Sequence, residues 1–241
     1  MYTALKSYLL EPAKVNARLR EEWIKKSLLA LPRGLRILDA GAGETPYKTY
    51  CADQDYISQD FAKYDGTGNG VGLQTGSWDQ STIDIVSDIT AIPAPSGSFD
   101  VILCTEVLEH IPDPLATLRE FDRLLKPGGQ LIMTVPFWSA THFAPYHFCT
   151  GYNKYFFEEH LAKRRGYAIL EMTPSGNFFS VLNQQLALLP GVSKQYGASG
   201  ILAYTAWIWI APLALLLRYF AKVAPSSSDL WCFEYFIRAK K

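Results

Sequence analysis

The chain is 241 residues long and carries 23 Lys+Arg against 23 Asp+Glu, so it has no bulk charge with which to gather nucleic acid or an anionic surface. Hydrophobic residues make up 49% and aromatics 14%, which excludes a disordered chain and suffices for a full core. Cys51, Cys104, Cys149 and Cys232 form no C-x-x-C pair, which speaks against a zinc ribbon or disulfide scaffold and for a reducing, cytoplasmic setting.

Met1 to Glu22 mixes Lys6, Glu11, Lys14, Arg18 and Arg20 with apolar residues, unlike a secretory signal. From Ala13 to Leu31 the residues Val15, Leu19, Trp23, Ile24, Leu28 and Leu31 recur at three- and four-residue intervals, which predicts an amphipathic helix stopped by Pro32 and Gly34. Short apolar runs follow at Arg36–Ala40, Tyr56–Gln59, Asp84–Ser87, Asp100–Cys104 and Gln130–Val135, each bounded by Gly, Pro or Asp and read as a strand. Strands alternating with helical stretches predict an α/β fold, a doubly wound parallel sheet with helices on both faces. Between the fourth and fifth runs, Asp113 reads as an N-cap, Pro114 as the first turn, Leu115, Leu118, Phe121, Leu124 and Leu125 as the inner face, and Pro127-Gly128-Gly129 as the stop. An aromatic, His-rich loop then runs from Phe137 to Tyr155, followed by a helix to about Lys163, a strand at Tyr167–Met172 and a last strand at Trp231–Arg238.

Gln195 through Leu217 carries no charge, and a bilayer core needs roughly 20 such residues. A single span is disfavoured if the last strand rejoins the same sheet, because the chain must return to the side it left. A packed insertion, a homodimer face, or a hairpin kinked at Pro212 in peripheral contact with the cytoplasmic face of a membrane all remain open for 195–217.

The first strand opens into Gly41-Ala42-Gly43, then Glu44-Thr45-Pro46, and Asp60 lies at the end of the second strand. Such a turn brings a ligand close to backbone, and an acid at this spacing can bind a ribose diol, as in nicotinamide dinucleotide sites. Pro46, however, replaces the third glycine of G-x-G-x-x-G. Asp39 and Glu44 would also repel a pyrophosphate by on the order of 1–4 kcal/mol. The turn suits a cation, and a nucleoside bearing a sulfonium and an ammonium is S-adenosylmethionine.

Ile37 to Gly43, Asp60, Ser87-Asp88-Ile89, Phe99 to Cys104 and Leu125 to Gly129 come in an order and spacing that resembles class I S-adenosylmethionine-dependent methyltransferases of the type 11-like group. The resemblance covers roughly Leu35 to Phe137. It implies a three-layer, Rossmann-like sheet of seven strands, the last antiparallel and tucked between the fifth and sixth, with the apolar helical insertion before it. It further implies one methyltransferase domain: a helical segment at 1–34, a cofactor core at 35–137, an acceptor loop and sixth strand at 138–180, the insertion at 181–228 and the last strand at 229–241. Asp39, Gly41 and Gly43 would meet the methionine moiety, Asp60 the ribose, and Asp88 and Ile89 the adenine, with Thr105 and Glu106 lining the cofactor.

Methyl transfer from a sulfonium is a one-step displacement governed by alignment, and a base is needed only for a protonated acceptor such as a hydroxyl. Candidates for that role are Glu109 and His110 after the fourth strand and His142 and His147 after the fifth, loops that emerge at the ligand-binding edge of such a sheet. Glu106-x-x-Glu109-His110 is also similar to a motif of RNA 2′-O-methyltransferases and ubiquinone-pathway O-methyltransferases, which implies a divalent ion on Glu106, Glu109, His110 and His147 or His142. The aromatic loop, closed by Asn177, Phe178 and Phe179, reads as an acceptor pocket. The expected acceptor is a small molecule, a glycan or a lipid-linked compound methylated at oxygen, and not a nucleic acid, for lack of a basic stripe. A catalytically silent binding module on the same fold is the alternative; a nicotinamide oxidoreductase ranks lower because no Tyr-x-x-x-Lys pattern stands in the expected region.

Overall fold

The structure is a computed structural model that describes residues 14–241, leaving aside the side chains of 201–204 and 207. What the sequence suggests for residues 1–13, including the absence of a secretory signal, lies outside the described residues.

Seven strands, β1 (Arg36–Ala40), β2 (Asp55–Asp60), β3 (Ile85–Val86), β4 (Phe99–Thr105), β5 (Leu125–Pro136), β6 (Ala168–Ser175) and β7 (Glu234–Lys240), form one sheet in the order β3-β2-β1-β4-β5-β7-β6. The first five pair in parallel, and β7 runs antiparallel to β6, the topology implied by the resemblance. Ile37 to Ala40 and Val101 to Cys104 are buried on both faces of the sheet, as parallel strands demand. Ile24 and Leu28 of α1 (Val15–Leu29) pack on Ile37, Val101, Leu103 and Ile132, each such side chain contributing about 1.5–3 kcal/mol by leaving water. Parallel pairing brings the carboxyl ends of β1, β2, β4 and β5 to one edge, and the loops that follow them gather there.

Two features depart from the expected rhythm. The connections from β1 to β2, β2 to β3 and β3 to β4 contain no α-helix: residues 41–54 make only a 3-10 turn at Lys48–Cys51, because Thr45 takes a left-handed φ of 56° beside Pro46 and delays helix entry. Secondly, α2 (Pro114–Leu124) is capped as expected, Asp113 accepting from the Ala116 N–H at 2.9 Å, but ends at Leu124 and not at Pro127-Gly128-Gly129. Leu125 is already extended, and the Pro-Gly-Gly stretch is taken up as a bulge in β5, where Phe99 pairs with Leu125 and Val101 with Gln130. The helix expected to reach Lys163 is α3 (Lys154–Phe157), capped by Asn153 and continued by a π-helical turn over Glu158–Lys163.

The chain divides into two compact units, Glu22–Thr173 with Tyr235–Lys241, and Pro174–Glu234 with the described residues up to Glu21. The first holds most of the sheet. The second holds α4 (Phe178–Gln195) and α5 (Gly200–Val223), which pack on each other and are the helical insertion. Asn177 fixes their relation, accepting from Ser180 N–H at 3.1 Å and donating to the Ala221 carbonyl at 2.8 Å. α5 continues through Pro212 without a break. Among the described residues, no helix is long and apolar enough to cross a membrane.

Candidate active site

At the carboxyl edge of the first unit lies a cavity of about 400 Å³. Its floor is the glycine turn. Gly41 faces the cavity with φ 79°, and a Cβ there would stand 2.4 Å from Val107, so no other residue fits. The Gly41 and Ala42 N–H groups donate to the Gln59 carbonyl at 2.8 and 2.9 Å, which leaves the Gly43 N–H to donate to Asp60 Oδ2 at 2.9 Å. Asp60 Oδ1 accepts from Ala62 N–H at 2.9 Å and from Gln80 Nε2 at 3.1 Å. Three N–H donors thus hold a nearly buried carboxylate in one orientation at the cavity wall.

Asp39, one strand over, is treated differently. It is 1% exposed, accepts a 2.5 Å hydrogen bond from the Tyr56 hydroxyl and is not among the cavity-lining residues. Burial pushes its carboxyl up to about 7, against the Tyr56 hydrogen bond, and the Asp60 charge adds to the rise. Asp88 and Ile89 line the far wall; Asp88 accepts from the Thr90 N–H and hydroxyl at 2.8 and 2.7 Å, which holds its carboxyl below the ordinary range. Glu106 lines the cavity from a left-handed backbone, φ 54°, whereas Thr105 closes β4 opposite Thr134 and stays out of it.

The two His loops meet. The rings of His110 and His142 lie 4.6 Å apart and those of His142 and His147 4.7 Å apart. Phe148 N–H and Cys149 N–H both donate to the Glu109 carbonyl, which stitches one loop to the other. Glu109 is fully buried, with His110 Nε2 3.7 Å and His142 Nε2 4.0 Å from its Oε1. His110 Nδ1 stands 2.5 Å from the Tyr146 carbonyl and His142 Nδ1 2.9 Å from that of Ala140. A carbonyl can only accept, so both rings carry a proton on Nδ1 and turn Nε2 toward the carboxylate. Burial, with His142 close by, lowers the His110 pKa to about 3 despite the Tyr146 carbonyl, and the ring is neutral.

This geometry regroups the expected ligands. Ligand atoms of Glu109, His110 and His142 lie within 4.8 Å of one another. Glu106 does not join them, because the stretch forms a 3-10 turn over Leu108–His110 and not the α-helix that would put Glu106 and Glu109 on one face. His147 Nε2 instead bonds the Ser139 hydroxyl at 3.1 Å. Two imidazoles oriented by carbonyls around a buried carboxylate fit a divalent cation.

Of the four candidate catalytic residues, only His110 lines the cavity. Phe143 stacks between Tyr64, at 4.5 Å, and His110, at 5.0 Å, and Trp78 meets Tyr64 and Phe143 edge-on. Tyr64, Trp78 and Gln80 went unread in the sequence because they sit in a long helix-free connection between β2 and β3, which carries no periodicity. That connection is tied to the aromatic loop by Leu73 N–H to the Thr141 carbonyl and Phe143 N–H to the Leu73 carbonyl. Its glycines at 66, 68, 70, 72 and 76, all with positive φ, were the available signal. Asn177, Phe178 and Phe179, expected to close the pocket, belong to the other unit and are not among the lining residues.

Residues 14–181 match the family model described as "Methyltransferase domain". Relatives named "Ubiquinone biosynthesis O-methyltransferase" include one from Xanthomonas oryzae pv. oryzae, 43% identical over 26% of each chain. Others are from Xanthomonas axonopodis pv. citri, 31% identical over 43% of this chain and 44% of the relative, and Marinobacter nauticus, 30% over 42% and 35%. The chain thus matches from about a quarter to less than half of these relatives' length. Among solved structures, the [4+2]-cyclase SpnF aligns at TM-score 0.53 and 20% identity over 92% of this chain and 80% of that one. Haemonchus contortus phosphoethanolamine N-methyltransferase 2, in complex with S-adenosyl-L-methionine, aligns at 0.52 and 18% over 92% and 52%. These show the fold alone, and a cyclase among them shows that the fold does not dictate the chemistry.

Proposed function

From the premise that this chain belongs to the methyltransferase-domain family of class I, S-adenosylmethionine-dependent enzymes, we propose that it moves the sulfonium methyl of that cofactor onto a hydroxyl oxygen of a small-molecule acceptor. The observation that carries this reading is Asp60, a carboxylate held by three N–H donors at the wall of a cavity otherwise rich in acids and aromatic rings. A carboxylate so held keeps a lone-pair site on Oδ2 for a ribose hydroxyl, and Asp88, Ile89 and Glu106 extend a wall that favours a nucleoside bearing positive charge over a pyrophosphate. The relatives' name supports oxygen as the acceptor atom.

In the proposed step an acceptor oxygen attacks the methyl carbon, the carbon–sulfur bond breaks, and S-adenosylhomocysteine leaves as the acceptor hydroxyl loses its proton. Phe143, its faces covered by Tyr64 and His110, adds an apolar border to the cavity that excludes water. His110 alone is a poor sink for a whole proton near neutrality, its pKa being about 3. Its Nδ1 is engaged with the Tyr146 carbonyl and its Nε2 is buried beside Glu109, so the acceptor proton leaves to water and the step rests on alignment. Should a divalent ion be bound, Glu109, His110 and His142 would hold it, and its charge would acidify the acceptor hydroxyl.

Calorimetry with S-adenosylhomocysteine tests the cofactor half: micromolar binding, about −8 kcal/mol, lost in Asp60→Ala, with NAD(H) silent, is the expected result. Failure of well-folded protein to bind would replace the reading with a catalytically silent module.

A further inference from the structure

The second unit carries a surface that the reaction does not use. α5 buries Ile210, Ala214 and Leu217 along one side. It exposes Ile208, Trp209, Leu213, Leu215, Leu216 and Tyr219, with Trp209 78% accessible. At 100° per residue those six span about 160° of the helix circumference, so the arc that a water-facing helix fills with polar residues is apolar here. Leu189, Val192 and Tyr196 near the end of α4 are exposed as well.

Charge says what covers this face. No acidic residue occurs between Glu171 and Asp229, while Lys194, Arg218 and Lys222 do. A chain with no net charge has therefore kept its insertion purely cationic. Arg218 and Lys222 fall about 40° apart along one border of the apolar arc at the same helical pitch. Two copies meeting through this face would bring like charges together at its rim. An anionic bilayer instead takes the apolar arc below its headgroups and the bases at the phosphates. The insertion also begins after β6 and ends before β7 in one sheet, so the chain enters and leaves on the same side, as an in-plane helix does and a single span does not.

We propose that the exposed face of α5 docks in the plane of an anionic phospholipid surface. This is independent of methyl transfer and is read without turnover. The full chain is floated with phosphatidylcholine vesicles containing about 30 mol% phosphatidylglycerol and with phosphatidylcholine alone, at low and high salt. The expected result is binding to the anionic vesicles that falls on the order of tenfold or more when salt is raised or in Arg218→Glu/Lys222→Glu, and that is lost in Trp209→Glu/Leu216→Glu. Far-ultraviolet circular dichroism and the melting temperature, measured in parallel, report that each variant is folded. Wild-type protein that stays with neither vesicle overturns the proposal. So does equal, salt-insensitive binding to both vesicles, or a dimer in light scattering that Trp209→Glu/Leu216→Glu splits.

Discussion

The glycine-turn side of the cavity and the histidine side both hold buried carboxylates, and they satisfy them in opposite ways. Asp39 and Asp60 face donors, a Tyr56 hydroxyl for one and three N–H groups for the other. Glu109 has two imidazole Nε2 atoms at 3.7 and 4.0 Å. Donors around a carboxylate fix its direction and leave it ready for hydroxyls. Imidazole nitrogens beside a carboxylate can share a proton or a metal ion with it. One edge of the sheet thus offers a cradle for a nucleoside beside a seat for a cation, and the contrast lies in second partners, since the carboxylates themselves are alike.

The largest expected effect probes Asp39. Its folded pKa, about 7, lies above the unfolded value of 3.8, so the folded state holds the extra proton and the burial cost is absent below about pH 4. That stability is lost as pH rises through 7. Denaturation of Asp39→Asn against wild type at pH 5 and pH 8 should show the variant gaining with pH, by about 2.5 kcal/mol between those two values. A flat difference would mean that Asp39 is ionised throughout. Next comes Asp60→Ala, which should weaken S-adenosylhomocysteine by about ten- to a hundredfold, the worth of one charged hydrogen bond to a ribose hydroxyl, while leaving the histidine side intact.

Gly41→Ala should lower thermal stability by about 2 kcal/mol, because φ 79° and the Val107 collision both oppose a Cβ. Val107→Ala in the same chain should return part of that loss, leaving the strain of the left-handed backbone. The smallest effect sharpens the other side. Mn²⁺ should raise the melting temperature of the wild type by a few degrees, about 1–2 kcal/mol at concentrations well above its Kd, and Glu109→Gln should erase that rise. An unchanged melting curve in wild type would leave a proton as the occupant.

Much of this edge was legible in the chain. Arg36–Ala40 was bounded correctly because a fully buried parallel strand is a continuous apolar run closed by glycine, and Asp113-Pro114 marked its helix start because cap chemistry is local. The end of that helix was not legible: a β-bulge absorbs Pro127-Gly128-Gly129 only because Val101 is there to pair with Gln130. The clustering of His110, His142 and His147 followed from their places after adjacent strands, but which of them faces Glu109 depended on two carbonyls, those of Tyr146 and Ala140.

Order along the chain therefore determined the sheet, the glycine turn, the acid at the end of β2 and the uncharged insertion, since each is written in periodicity, in φ preferences or in spacing within one segment. The tertiary structure alone decided that Asp60 and not Asp39 meets the cavity, that His142 and not Glu106 joins Glu109 and His110, and that the apolar side of α5 lies outward. Those outcomes turn on which donor, lone pair or packing partner arrives from a distant segment, and a buried polar or apolar group takes its role from that partner.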